Sequence, residues 1–274
     1  MNIVITGSST GIGRALSKYL LERGHHVWGI ARFNQKQFVV DSGGAFSASR
    51  CDVSNWPEVA SAASEVAAVW PHVDGLVTCA GQQGEVGRAI TADPRRWSST
   101  VRVNLDGTFF AIRAFYAQLA RAPRRAKIVC FSGGGATKAR PNFSAYGVSK
   151  TAVVRLVETI AAEFQGQPFD INAVAPGAIN TRLTEEVISL GPAVVGLEEF
   201  DAAVKQRATG GSSLTRALEL VEWLISPSSD GISGCLLSAP WDPWPTLGSH
   251  GAKLAASDVF KLRRIVPVER GLAL

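Results

Sequence analysis

The chain has 274 residues, 46% of them hydrophobic and 19% charged, a balance that excludes a disordered polymer. Lys and Arg outnumber Asp and Glu by 28 to 23, and the net charge of +5 contains no long like-charge run. That argues against a nucleic-acid arm and suits an anionic small molecule. No apolar stretch reaches the ~18 residues a membrane span requires, and Cys51, Cys79, Cys130 and Cys235 form neither a CxxC pair nor a metal-ligand spacing. The expectation is a reduced, cytoplasmic protein with no metal, no membrane and no nucleic-acid partner.

Taken in chain order, short Val/Ile-rich runs bounded by Gly, Pro or Asp alternate with longer amphipathic segments. Strands are expected at residues 2–6, 26–30, 45–49, 75–79, 127–131, 170–175 and 234–237. Helices are expected at 12–23, 54–70, 97–120, 145–164 and 214–224, the last ending before Pro227. This β-α-β-α order predicts an α/β, three-layer, doubly wound parallel sheet (a Rossmann fold) of about seven strands with helices on both faces. Residues 1–240 form the expected Rossmann-type domain. Residues 241–274 form a C-terminal extension, helical around 252–264, packed on that domain or on a neighbouring subunit. Loops are expected at 133–141 and 210–213. A longer one from about 181 to 213 is expected to cover a substrate with Leu183, Val187, Ile188 and Leu190.

The first strand runs into Thr6-Gly7-Ser8-Ser9-Thr10-Gly11-Ile12-Gly13 and then a helix. Gly7 permits the tight turn, Gly11 lets a pyrophosphate approach the backbone, and Gly13 lets the helix pack on the strand. The helix N-terminus then offers free N–H groups to phosphate, which makes the segment from Gly7 to Gly13, with Ser9, Thr10 and Ile12, the expected cofactor cradle. After the second strand stands Ala31-Arg32, where a site selective for NAD would place a carboxylate. The guanidinium of Arg32 suits a 2′-phosphate instead, so NADP(H) is favoured, with NAD(H) possible. Asp52, with Val53 behind it, is read either as an acceptor for the adenine amino group or as a helix N-terminal cap beside Ser54. Tyr146 and Lys150 are four residues apart in a helical stretch and share a face. There a lysine cation, acting with the positive nicotinamide of NADP⁺, would lower the phenol pKa from about 10.

These motifs follow one another as Thr6-Gly-x-x-x-Gly-Ile-Gly13, Asp52-Val53, Asn104-Leu105-Asp106-Gly107, Tyr146-x-x-x-Lys150 and Pro176-Gly177-x-x-x-Thr181. In that order the chain resembles the short-chain dehydrogenase/reductase family, in its compact single-domain branch, over about residues 1–238. The resemblance implies an oxidoreductase in which Tyr146 exchanges a proton with the carbonyl oxygen of a small ketone or alcohol. Lys150 would assist Tyr146 and bind the nicotinamide ribose, and Asn104 would hold a relay water. Ala80 and Gly81, with Pro176, Gly177, Ile179 and Thr181, would border the cofactor. The family also implies a homodimer or homotetramer built on the two long helices.

Two departures stand out. The family's Asn-Ala-Gly is Cys79-Ala80-Gly81 here, and the position of its catalytic serine is Gly133. Ser132, one residue earlier, or Ser144 is expected to replace that serine. If neither reaches, a nicotinamide-binding sensor or assembly protein with little catalysis is the alternative reading. The segment from Ser257 to Pro267 is similar to tails of family members placed in sugar or polysaccharide pathways.

Overall fold

The computed structural model describes residues 1–272. Its elements in order are β1 (Asn2–Thr6), α1 (Gly11–Leu21), β2 (His26–Ala31), α2 (Lys36–Asp41), β3 (Phe46–Arg50), α3 (Trp56–Val69), β4 (Gly75–Thr78), α4 (Pro94–Val101), α5 (Gly107–Leu119), β5 (Ala126–Phe131), α6 (Ser144–Glu163) and β6 (Phe169–Ala175). After them come α7 (Arg182–Leu190), α8 (Pro192–Val195), α9 (Leu197–Thr209), α10 (Leu214–Ile225), β7 (Leu236–Ser238) and α11 (Gly251–Ala255). The seven strands make one sheet in the order β3-β2-β1-β4-β5-β6-β7, and every pairing is parallel.

The period-2 alternation of each strand divides the core into two layers. Val4, Trp28, Leu76 and Ile128 face a layer closed by α3, α5 and α6, through residues such as Val66, Phe115 and Val157. Ile3, Ile5, Val27, Val77 and Val129 face the other layer, closed by α1 and α10 through Leu16, Leu20, Leu220 and Leu224. Trp244, Leu247 and Leu254 from the C-terminal segment complete that second layer. The chain crosses from one side of the sheet to the other between β1 and β4, which opens a crevice at the carboxyl ends of these strands.

Three expectations need correction. The single helix expected over 97–120 is two helices, α4 and α5, joined by a π-helical turn at Arg102–Asp106. The expected loop over 181–213 holds α7, α8 and α9, separated by Gly191 and Gly196 at φ values of 74° and 89°. In the C-terminal segment, regular helix covers only Gly251–Ala255, and the chain turns through Phe260 at a φ of 64°. No helix among the described residues is long and apolar enough to cross a membrane.

Candidate active site

The cradle forms where β1 enters α1. Gly7 takes a φ of 74°, and a Cβ there would stand 2.8 Å from the Ala80 backbone. On Gly13 it would stand 2.4 Å from the Gly7 carbonyl oxygen, so the turn closes only with glycine at both places. Gly11, in contrast, faces open space at the start of α1. Thr10 is the N-cap residue but makes no side-chain cap bond, so the first-turn N–H groups of α1 stay available to an anion. Ser9 and Ile12 are half-buried beside them.

Arg32 is exposed at the end of β2, and its guanidinium carbon lies 5.9 Å from the Phe33 ring centroid. Beyond it lies a small cavity of about 140 Å³ lined by Ser8, Ser9, Arg14, Asn34, Gln35, Gln37 and Phe38. The buried Ser8 hydroxyl donates to Gln35 Oε1 at 2.9 Å, while Gln35 Nε2 is buried and has no partner among the described residues. An orphaned amide donor and an arginine beside an uncapped helix N-terminus form a donor set that fits a phosphorylated adenosine. Arg14, Asn34 and Gln35 were missed by sequence reasoning. The signal was the polar run from Asn34 to Gln37, together with the arginine that follows Gly13.

Asp52 Oδ1 accepts the Ser54 N–H at 2.9 Å and its hydroxyl at 2.7 Å. The helix-cap reading of Asp52 is thereby corrected: its carboxylate folds the turn onto Ser54, ahead of the cap of α3. The formal N-cap of α3 is Asn55. Val53 is buried against Gly107, where a Cβ would come within 2.7 Å of it.

Tyr146 and Lys150 lie in the first turns of α6 and are both buried. Lys150 Nζ donates to the Phe131 carbonyl at 2.8 Å and is 5.8 Å from the Tyr146 ring centroid. Gly81 closes the space beside it, since a Cβ there would lie 3.4 Å from Lys150 Nζ and 3.3 Å from Asn104 Oδ1. Asn104 sits in the π-helical turn. Its amide donates to the Gln82 carbonyl and the Ser149 hydroxyl, both at 3.0 Å, and its oxygen accepts the Gln82 N–H at 2.9 Å. The structure thus brings Gly81, Asn104 and Lys150 together. Ala80, whose N–H donates to Thr6 Oγ1 at 3.2 Å, joins this floor to β1.

Burial governs the ionisation of this cluster. It pushes Lys150 down to about 8, against weak opposition from Cys79 and Cys130. It pushes Cys79 up to about 12, with Lys150 opposing. It also raises Tyr146 above the ordinary phenol value, and the charge that opposes this rise is Arg140. Lys150, whose ammonium donates to the Phe131 carbonyl, is not among the charges that lower Tyr146 here.

Both serines have hydrogen-bond partners of their own. Ser132 is buried and donates to the Lys150 carbonyl at 3.1 Å, while Ser144 accepts from Trp97 Nε1 at 3.0 Å. Position 133 is the one that faces Tyr146, since a Cβ on Gly133 would stand 2.7 Å from the phenol oxygen. The Tyr146 hydroxyl occupies the space such a side chain would fill. Pro176, Gly177, Ile179 and Thr181 follow β6, and Ser212 pins this stretch by accepting the Ala178 N–H at 3.0 Å. Thr181 caps α7.

The comparisons agree with this architecture. A family model described as short chain dehydrogenase matches residues 1–189. The short-chain dehydrogenase/reductase ABA4 of Pyricularia oryzae is 30% identical over 246 residues, which cover 85% of this chain and 88% of that protein. The D-threitol dehydrogenase of Mycolicibacterium smegmatis is 31% identical over 188 residues, covering 66% of this chain and 70% of its own. Among solved structures, the ligand-free aldohexose dehydrogenase of Thermoplasma acidophilum superposes with a TM-score of 0.75 at 25% identity, over 86% of this chain and 91% of that one. With the family model spanning most of its length and the parallel sheet beneath its glycine-rich turn, the chain belongs to the short-chain dehydrogenase/reductase family, nicotinamide-dependent enzymes acting on alcohol and carbonyl groups.

Proposed function

We propose that the protein is an NADP(H)-dependent oxidoreductase that interconverts a ketone and a secondary alcohol, with Tyr146 as the acid or base. The observation that carries this is the placement of Tyr146 and Lys150 on α6, with Lys150 against Gly81 and Asn104, at the same carboxyl edge of the sheet as the open cradle of α1. When bound, the nicotinamide supplies or accepts the hydride. The Tyr146 hydroxyl gives its proton to the carbonyl oxygen in reduction and takes it back in oxidation. Lys150 holds the nicotinamide ribose. Asn104 orients the relay that returns protons to Lys150, and Ser132 acts only through the Lys150 backbone that it holds. Pro176, Gly177, Ile179 and Thr181 border the nicotinamide side of the crevice.

Arg32, with Arg14 and the free Gln35 amide, supports the preference for a 2′-phosphate over a free ribose hydroxyl. The names of the threitol and aldohexose dehydrogenases put polyols and aldoses first in a substrate screen. Exposed Phe109 and Tyr116 on α5 and Val148 on α6 support a homodimer or homotetramer. The four free cysteines support a reducing, cytoplasmic setting.

Calorimetric titration with NADPH and NADH, with and without Arg32→Asp, tests the cofactor assignment. Tighter NADPH binding that reverses in the variant is expected, and equal binding of both by the wild type would refute it. Loss of turnover in Tyr146→Phe tests the acid/base role.

A further inference from the structure

The loop between β5 and α6 carries Arg140 to a place that the glycine at 133 makes consequential. The Arg140 guanidinium carbon lies 3.9 Å from the Phe143 ring centroid and 5.9 Å from that of Tyr146. The side chain is mostly buried. Its Nε and Nη2 donate to the two carboxylate oxygens of Glu199 on α9 at 2.9 and 2.8 Å. Gly135, at a φ of 91°, lies beside it and packs closely on Gly147 of α6, where a Cβ would sit 3.1 Å from the Gly147 Cα. The Tyr146 ring belongs to a third apolar cluster with Val187 of α7, Val195 of α8 and Ala203 of α9, so the partly buried Arg140–Glu199 pair acts on it across a poorly hydrated edge. The Tyr146 hydroxyl makes no hydrogen bond to the described residues, Gly133 offers it none, and the Lys150 ammonium is engaged with Phe131.

We propose that Arg140 is a positioning residue for the reaction: its charge stabilises the Tyr146 phenolate, and Glu199 sets how much of that charge Tyr146 feels. This rests on the reading of Tyr146 as the group that exchanges the substrate proton. The charged and titratable groups facing Tyr146 are Lys150 from its own helix, Cys79 beyond β4, Arg140 from the loop, and Glu199 from α9 through Arg140, while α7 and α8 contribute Val187 and Val195 to its apolar cluster. Among these Arg140 is the cation whose effect opposes burial. A guanidinium would thereby do part of what a hydroxyl donor at position 133 does elsewhere, acting on the phenolate instead of the substrate oxygen.

The test is a spectroscopic pH titration of tyrosinate absorbance in wild type, Arg140→Gln, Arg140→Lys and Glu199→Gln. The chain has three tyrosines, so the same titration in Tyr146→Phe isolates the signal of Tyr146. Removing the cation should raise the Tyr146 midpoint by about one pH unit, and freeing it from Glu199 should lower the midpoint by a similar amount. Arg140→Lys should stay within about half a unit of wild type. The signs carry the discrimination: an arginine that merely staples the loop to α9 loses the same staple in both neutral variants and shifts them the same way. A midpoint in Arg140→Gln at or below that in Glu199→Gln, or no Tyr146 signal in either, overturns the proposal. Circular dichroism of each variant separates a shifted midpoint from a lost fold. Turnover surviving in Tyr146→Phe would instead sink the acid/base reading and leave the titration result standing.

Discussion

The contact between Gly133 and Tyr146 lends itself to a two-step substitution. Gly133→Ala adds one methyl group, and its carbon would stand 2.7 Å from the phenol oxygen, about 0.7 Å short of ordinary contact. Tyr146 is buried against α7, α8 and α9, so the hydroxyl has to retreat while its ring has little room to follow. Overpacking of this kind typically costs about 1–3 kcal/mol of stability. Displacing a reacting group by most of an ångström lowers kcat/KM by about 10- to 100-fold. Gly133→Ser brings the same carbon and the same displacement, but adds a hydroxyl beside the reacting oxygen. An added donor of that kind is worth about 10²–10³ in rate, so the serine variant should exceed the alanine variant by at least ~10-fold. The assay is NADPH oxidation with whichever carbonyl compound the screen returns, beside urea unfolding of each protein. Alanine at 133 that leaves both kcat/KM and stability unchanged would refute the claim that this position abuts Tyr146. Equal rates for the two variants would refute the claim that a donor is what the site lacks.

Further outcomes follow from charge and burial. Lys127 and Asp170 are buried as a pair at 2.8 Å, with Asp230 on the other side of the ammonium at 2.7 Å. Lys127→Met should therefore destabilise by about 2–3 kcal/mol, read from urea unfolding, because the buried Asp170 keeps only the partly exposed Arg125 at 3.3 Å as a counter-charge. Lys150 is held down to about 8 from 10.5, so the unfolded chain binds the extra proton between these values and stability should climb by about 3 kcal/mol from pH 8 to 10.5. That climb should vanish in Lys150→Met. At neutral pH this variant should gain about 1–2 kcal/mol after allowing for the donor lost to Phe131, even as activity disappears. Phe109→Asp should lower the mass found by light scattering if α5 forms the subunit contact; an unchanged oligomer would place that contact elsewhere.

Much of the fold was legible because its signals are local. The strands are short β-branched runs bounded by Gly, Pro or Asp, and β1 has the limits expected of it. The helix–loop–helix region after β6 was not legible, because Gly191, Pro192 and Gly196 cut the helical pattern into pieces too short to register. In the structure those same residues serve as the caps and first turns of α8 and α9. The π-helical turn at Asn104 was hidden for a different reason. It is fixed by bonds to Gln82 and Ser149, 22 and 45 residues away, which leave no periodic trace. Tyr146 and Lys150 could be found from spacing, whereas Arg140 could not, since its significance depends on Glu199, 59 residues further on. The partner of Ser132, the Lys150 carbonyl 18 residues on, was likewise beyond the reach of spacing.

The C-terminal segment has a consequence for solubility as well as for packing. Strand β7 is the last of the sheet, and only its β6 side is paired. Its outward amides do not stay open: Leu236 N–H donates to the Phe260 carbonyl at 2.8 Å, and Ser238 N–H to the Asp242 carboxylate at 2.6 Å. Leu262 N–H, two residues past Phe260, is anchored on Glu158 of α6 at 2.6 Å, so the strap is tied at both ends. Shortening the chain at residue 240 would remove Trp244, Leu247 and Leu254 from the core and at the same time bare a row of donors along the sheet. A naked sheet border is a template on which another chain can add a strand, so the truncated protein would be lost to edge-to-edge aggregation before its activity could be measured.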